Sequence, residues 1–192
     1  MNRLLSTTAC GVFAIAAGFS SGAGATNNIE LVFNGPAVAN TSPPPSDPVF
    51  AAWCQDLCFP TTQQPVYDAS TSQQKGNITV WGKNFLFGAG GSLCFSEFIA
   101  FALSEGNLYV SSGPTGTCGA PIDPNLKAPR PGAVVVIAGG GDGVIAGGTK
   151  KYANWTGTYT DRVFVGFGAP GSGANNTGII YYDQLWFSIS GK

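Results

Sequence analysis

The sequence predicts an all-β domain whose antiparallel strands close into a barrel or stack as a sandwich. Three observations carry this. Short runs of β-branched and aromatic residues recur between clusters of Gly, Pro, Asn and Ser, the mark of strands and turns. No strand-like run alternates with a helix-length amphipathic stretch, as a parallel sheet would require. The chain also ends in two long strand-like runs, Thr156 to Phe167 and Gly178 to Ser190, around a Gly/Asn/Ser loop, which reads as a β-hairpin. Closure into a barrel would remove the edges that such apolar strands otherwise expose.

Taken in order, Ile29 to Phe33 is a short strand, followed by a Pro-rich connection from Gly35 to Pro48 where neither a helix nor a central strand persists. Val49 to Phe59 fits a strand or one or two helical turns equally. Pro60 to Gln74 reads as a polar loop around Pro65-Val66-Tyr67-Asp68. Asn77 to Phe87 and Ser92 to Leu103 are strands joined by Gly88-Ala89-Gly90-Gly91. Ser104-Glu105-Gly106 turns the chain into Asn107 to Ser111. Gly113 to Gly132, with five prolines, reads as a loop. Ala133 to Ala138 is an apolar strand that Gly139 to Gly143 turn into Val144-Ile145-Ala146. Within that turn, Gly141-Asp142-Gly143-Val144-Ile145-Ala146 fits the dinucleotide fingerprint G-x-G-x-x-A. The fingerprint needs a helix after it to face a pyrophosphate, and Gly147-Gly148-Thr149 would break one, so a hairpin turn is the reading.

Residues 1–25 have an Arg3 start, an apolar run from Ala9 to Phe19 and an Ala23-Gly24-Ala25 end, the layout of a secretory signal peptide cleaved after Ala25. A retained anchor is the rival, disfavoured by a short, Gly-rich apolar run. Residues 26–64 then form an N-terminal strand and Pro-rich extension, and residues 65–192 the barrel domain. Charged residues are 10% of the chain, against roughly 25% in ordinary globular proteins. With a pI near 5.2 and no basic cluster, nothing offers the footprint that nucleic acid or an anionic membrane requires. Low charge suits a secreted, extracellular β-domain, and 44% hydrophobic residues can fill a core.

Beyond Cys10, four cysteines remain: Cys54, Cys58, Cys94 and Cys118. In an exported chain they suggest two disulfides, with three connectivities, of which Cys54–Cys58 with Cys94–Cys118 is preferred. A zinc site is the weaker alternative, with one Cys-x3-Cys pair and no histidine in the chain. The lack of histidine also removes Ser-His-Asp and Cys-His machinery. Of the Asn-x-Ser/Thr sequons, Asn40 and Asn175 fall in loops and would be open to glycosylation in a eukaryotic secretory pathway.

The order "GNLYVSSGP, long loop, VVVIAGG, VIAGGTKKYANWTGTYT, Gly/Asn loop, IIYYDQLWFSI" resembles the dirigent and allene oxide cyclase barrel superfamily. Pro65-Val66-Tyr67-Asp68-Ala69 followed by Gly76-Asn77 is similar to that family's early Tyr-Asp … Gly strand pair. The resemblance spans roughly Val66 to Ser190; Lys150 stands where the family usually has Gly, and Trp155 where it usually has a small residue. It implies an eight-stranded antiparallel barrel around a mostly apolar cavity. Members bind reactive hydrophobic small molecules and guide cyclisation or radical coupling without a cofactor. The partners implied are thus a hydrophobic substrate or intermediate and, for some members, an external oxidase; a homo-oligomer is left open.

Strand alternation independently selects polar residues among apolar ones. Glu97 shares a face with Leu93, Phe95, Ile99, Phe101 and Leu103, where desolvation would raise its pKa and make it a candidate acid or base. Packing outside under a loop, against a backbone N–H or Lys83, is the competing placement. Asp183 and Tyr181 share a face with Ile179, Leu185, Phe187 and Ile189, although the opposite face with Tyr182 and Trp186 would also suit a lumen. Asp161 lies with Tyr159, Val163, Val165 and Phe167, and Arg162 points the other way. Each of Asp161, Arg162 and Asp183 would otherwise serve in a cross-strand ion pair. Two functions follow. One is a barrel that binds a hydrophobic molecule and steers its cyclisation or stereoselective coupling, as a cofactor-free isomerase or a stereo-directing auxiliary, through Glu97, Asp183, Tyr181, Asp161 or Arg162. The other is a non-catalytic module that stacks carbohydrate on exposed Trp81, Trp155, Trp186 or Tyr182. An open or a filled lumen would separate them.

Overall fold

The computed structural model describes residues 26–36, 38–122, 133–168 and 180–192, excluding the side chains of 133, 134, 168 and 180–183. Segment 1–25, read above as a signal peptide, and the sequon at Asn175 lie outside the described residues.

Nine strands follow one another: β1 (Asn27–Pro36), β2 (Phe59–Asp68), β3 (Gln74–Phe87), β4 (Leu93–Leu103), β5 (Gly106–Ser112), β6 (Thr117–Pro121), β7 (Ala133–Gly148), β8 (Gly157–Gly168) and β9 (Ile180–Gly191). All pairings are antiparallel, and eight of the strands close a barrel in the order β1-β2-β3-β4-β5-β7-β8-β9, with β9 returning to β1. The ninth, β6, extends the position of β5. β4 pairs with β5 over Phe98–Leu103 and with β6 over Leu93–Phe95, and β7 divides in the same way. One short helix, α1 (Pro48–Trp53), settles what Val49 to Phe59 left open. Asp47 caps it by accepting a hydrogen bond from the Val49 N–H at 2.8 Å, and Pro48 opens its first turn, where a missing N–H costs nothing.

Three expectations are corrected. β1 pairs with β9 along its whole length and β2 begins at Phe59, so the strand in 26–64 is a stave of the barrel rather than an extension beside it. The loop read from Gly113 to Gly132 contains β6. Gly139 to Gly143 do not turn: β7 runs unbroken through them. They are glycines because neighbouring backbone comes too close for a side chain. A Cβ at Gly143 would lie 2.0 Å from the Ser111 carbonyl oxygen, and one at Gly140 would lie 2.4 Å from that of Asp161. Both disulfides form as preferred, Cys54–Cys58 after α1 and Cys94–Cys118 across the β4–β6 ladder. Asn40 is buried and its amide nitrogen donates to the Val80 carbonyl at 3.2 Å, which leaves that sequon unavailable for glycosylation in the folded chain.

Apolar residues occupy both sides of the β3–β4–β5 wall, for separate reasons. Inside, Leu31, Val66, Ile78, Ile99, Phe101, Leu108, Val110, Tyr159, Phe187 and Ile189 pack into one core, with Phe101 edge-on to Phe187 at 5.2 Å between ring centres. Outside, Phe50 of α1 packs edge-on against Trp81 and Phe98, at 5.1 and 5.2 Å, next to Tyr109. Lys83 reaches the Trp53 carbonyl and lies over its ring at 4.7 Å, so it joins this outer cluster and not Glu97.

Candidate functional site

The inner core fills only one end of the barrel. Toward the other end the same inward positions diverge around a cavity of about 590 Å3, within the range of small-molecule sites. Its walls come from alternate residues: Leu93 and Phe95 on β4, Val163, Val165 and Phe167 on β8, Leu185 on β9 and Ile137 on β7. Phe59, Phe85 and Phe87 form the rim. Phe85 stacks on Phe95 at 5.2 Å, while Phe87 is 81% exposed. A β-bulge between Lys83 and Leu86, with Asn84 at φ 55°, redirects β3 there.

Among the described residues, Glu97 is the one ionisable side chain in the lining. Inward alternation along β4 carries the face from Leu93 and Phe95 through Glu97 to Ile99 and Phe101, so the carboxyl sits where the open half meets the packed half. It is 5% exposed, and its Oε2 accepts a 2.7 Å hydrogen bond from the Thr117 hydroxyl. Burial pushes its pKa up to about 8, and the negative charge of Asp161 adds to the rise, while the Thr117 bond opposes it. Asp161, inward on β8 and 3% exposed, has neither carboxylate oxygen in a well-formed hydrogen bond. Burial raises its pKa too. The Gly141 and Asp161 N–H groups lie near enough to hold it down in part, with Asp142 pushing up and Arg162 down. Tyr159, one inward position further into the packed end, is buried with its hydroxyl unpaired, and desolvation lifts its pKa well above the ordinary phenol value. Gly141 makes room for the group: a Cβ there would lie 2.6 Å from Thr117 Oγ1 and 3.1 Å from Asp161 Oδ1.

The result is one carboxyl at the floor of an apolar cavity with a second, Asp161, buried behind it and repelling it, and no basic side chain among the described residues of the lining. Such a pair sheds its charge by retaining a proton, so the arrangement can donate a proton or a hydrogen bond to a molecule in the lumen near neutral pH. Among the described residues, no three His, Cys, Asp or Glu side chains gather as a metal site.

Of the residues expected to act, Glu97 and Asp161 come together. Arg162 does not join them: it is exposed, on the outward face of β8 opposite Trp186. Asp183 pairs with Val165 and Gly35 in the ladders, but its side chain and that of Tyr181 lie outside the described residues. Thr117 was hidden in the segment read as loop. The disulfide that places Cys118 opposite Cys94 also puts Thr117 opposite Phe95, beside Glu97. Of the tryptophans proposed as a carbohydrate platform, Trp81 is buried under α1 and Trp155 packs half-buried on the core. Trp186 is 55% exposed and donates from its indole N–H to Glu30 at 2.7 Å. Comparison of the chain with protein-family models gives no match, and neither does comparison with curated proteins.

Proposed function

We propose that this protein is a secreted barrel that binds a hydrophobic small molecule in its lumen and steers its cyclisation or stereoselective coupling, with Glu97 supplying a proton or hydrogen bond to the bound molecule. The single observation that carries the reading is a 590 Å3 apolar cavity with a protonatable carboxyl at its floor. Residues so placed align an apolar body along the walls and fix one polar end, which is the means of imposing one geometry on a reactive intermediate. Cyclisation and isomerisation leave the oxidation level unchanged. A proton given by Glu97 to an oxygen of the ligand as one bond breaks is recovered when the product loses a proton, so the acid is regenerated. The resemblance to the dirigent and allene oxide cyclase superfamily agrees with this reading, and the two disulfides suit an oxidising compartment.

The test is fluorescence of Nile red, a neutral apolar dye, titrated with protein. Wild type is expected to bind it, and Val165→Trp, which fills the lumen, to lose binding with an unchanged far-UV spectrum. Absence of binding, or equal binding by the variant, would refute lumen occupancy. Steering is tested by the enantiomeric excess of a phenol radical coupling run with and without the protein; a racemic product in both would leave only binding.

A further inference from the structure

Resting on the lumen-binding reading, we infer that the bound molecule carries a basic nitrogen: a lipophilic primary amine whose apolar body fills the cavity and whose ammonium group meets Glu97 at its floor, with the Asp161 carboxyl buried behind. Hydrogen-bond capacity and charge both lead to it. Glu97 lines the cavity, and Thr117 donates to its Oε2. Behind it, Asp161 is 3% exposed with neither oxygen in a well-formed hydrogen bond, the Gly141 and Asp161 N–H groups alone lying near. Unpaired buried acceptors of this kind are costly, and an ammonium group is a donor without acceptor capacity, the complement of what the floor lacks.

Charge gives the same answer. One proton shared between the two carboxyls leaves one negative charge in an apolar enclosure. Among the described residues the titratable group facing the pair is Tyr159 on β8, which is not cationic; Asp142 on β7 and Arg162 on β8 are exposed and turned outward. The described walls of Phe, Val, Leu and Ile provide no cation either, but aromatic faces such as Phe95 and Phe187 favour one. A single ammonium neutralises the site. A neutral amine entering the cavity takes the proton of one carboxyl, leaving a dianionic pair beside one ammonium, and one further proton from solvent brings the site to the same neutral state.

The experiment compares decylamine with decan-1-ol, alike in apolar body, by displacement of Nile red. For wild type near neutral pH the amine is expected to displace the dye at a concentration about tenfold or more below that of the alcohol, a difference of about 1.4 kcal/mol. In Glu97→Gln that ratio should collapse toward one. In wild type it should also fall as the pH is lowered to about 5, where both carboxyls hold protons while the amine stays charged. Equal displacement by both probes in wild type, or a ratio unchanged in Glu97→Gln, would overturn the inference and leave lumen binding intact. Failure of both probes to displace the dye would overturn lumen binding as well.

Discussion

The two ends of the lumen are built from the same strands with the same alternation, and they do opposite things. At the packed end, Ile99 and Phe101 of β4 meet Ile78, Leu108 and Ile189, all fully buried. At the open end, Leu93 and Phe95 of β4 face Val163, Val165 and Leu185 across empty space. Glu97 and Asp161 lie at the seam. The difference shows a division of labour: one half supplies the apolar burial that stabilises the barrel, and this allows the other half to leave space unfilled and keep two acids out of water.

The comparison breaks most severely if the packed end is cut. Phe101→Ala removes a fully buried ring and is expected to destabilise by about 3–5 kcal/mol in denaturant unfolding, whereas Phe95→Ala at the cavity wall should cost much less. Equal losses would mean that the two halves are not distinct. Next comes pH. Burial places the folded-state pKa values of Glu97 and Asp161 above those of the unfolded chain, so the folded protein holds protons that the unfolded chain has already released. Stability is therefore greatest at or below the ordinary carboxylate range and falls as pH rises toward about 8. The loss is on the order of a few kcal/mol, because each tenfold difference in proton affinity between the folded and unfolded chain is worth about 1.4 kcal/mol. Urea midpoints from pH 5 to pH 9 should fall for wild type and flatten in Glu97→Gln, which would be the more stable of the two at high pH.

Much of this division was legible in the residues. An unbroken two-residue period from Leu93 to Leu103 put Glu97 among bulky apolar neighbours, and the same period on β8 separated inward Asp161 from outward Arg162. The partnership between Glu97 and Asp161 was not legible, because it is made through β6 and the bare backbone of β7, between segments far apart in sequence. Two local signals misled. A run of glycines normally marks a turn, but in β7 it permits close approach of neighbouring strands. Prolines around Cys118 concealed a five-residue strand. Phe98, Trp81 and Tyr109 could not be assigned an outer partner before α1 was known to lie over them.

Smaller effects sharpen the picture. Reduction or Cys94→Ser should cost about 3 kcal/mol, from the loop the disulfide closes, and loosen Thr117 and so Glu97; Cys54→Ser, closing a much shorter loop outside the barrel, should cost less and leave lumen binding unchanged. Calorimetry and dye binding on both variants check this. Phe87→Ser at the exposed rim should leave the melting temperature unchanged and slow only the uptake of an apolar ligand, followed by stopped-flow fluorescence. At the far end, the exposed Lys151–Glu105 pair at 2.7 Å should tolerate Lys151→Ala with no measurable change in melting temperature.

The proposed chemistry depends on an acid that keeps its proton at the floor of an open lumen. Infrared difference spectroscopy across a pH titration reads this directly through the carboxylic acid C=O stretch. A band that persists at neutral pH, titrates near pH 8 and loses its Glu97 component in Glu97→Gln, leaving the weaker band of Asp161 that titrates near pH 7, is the predicted result. Complete ionisation of every carboxyl by pH 6 would contradict it.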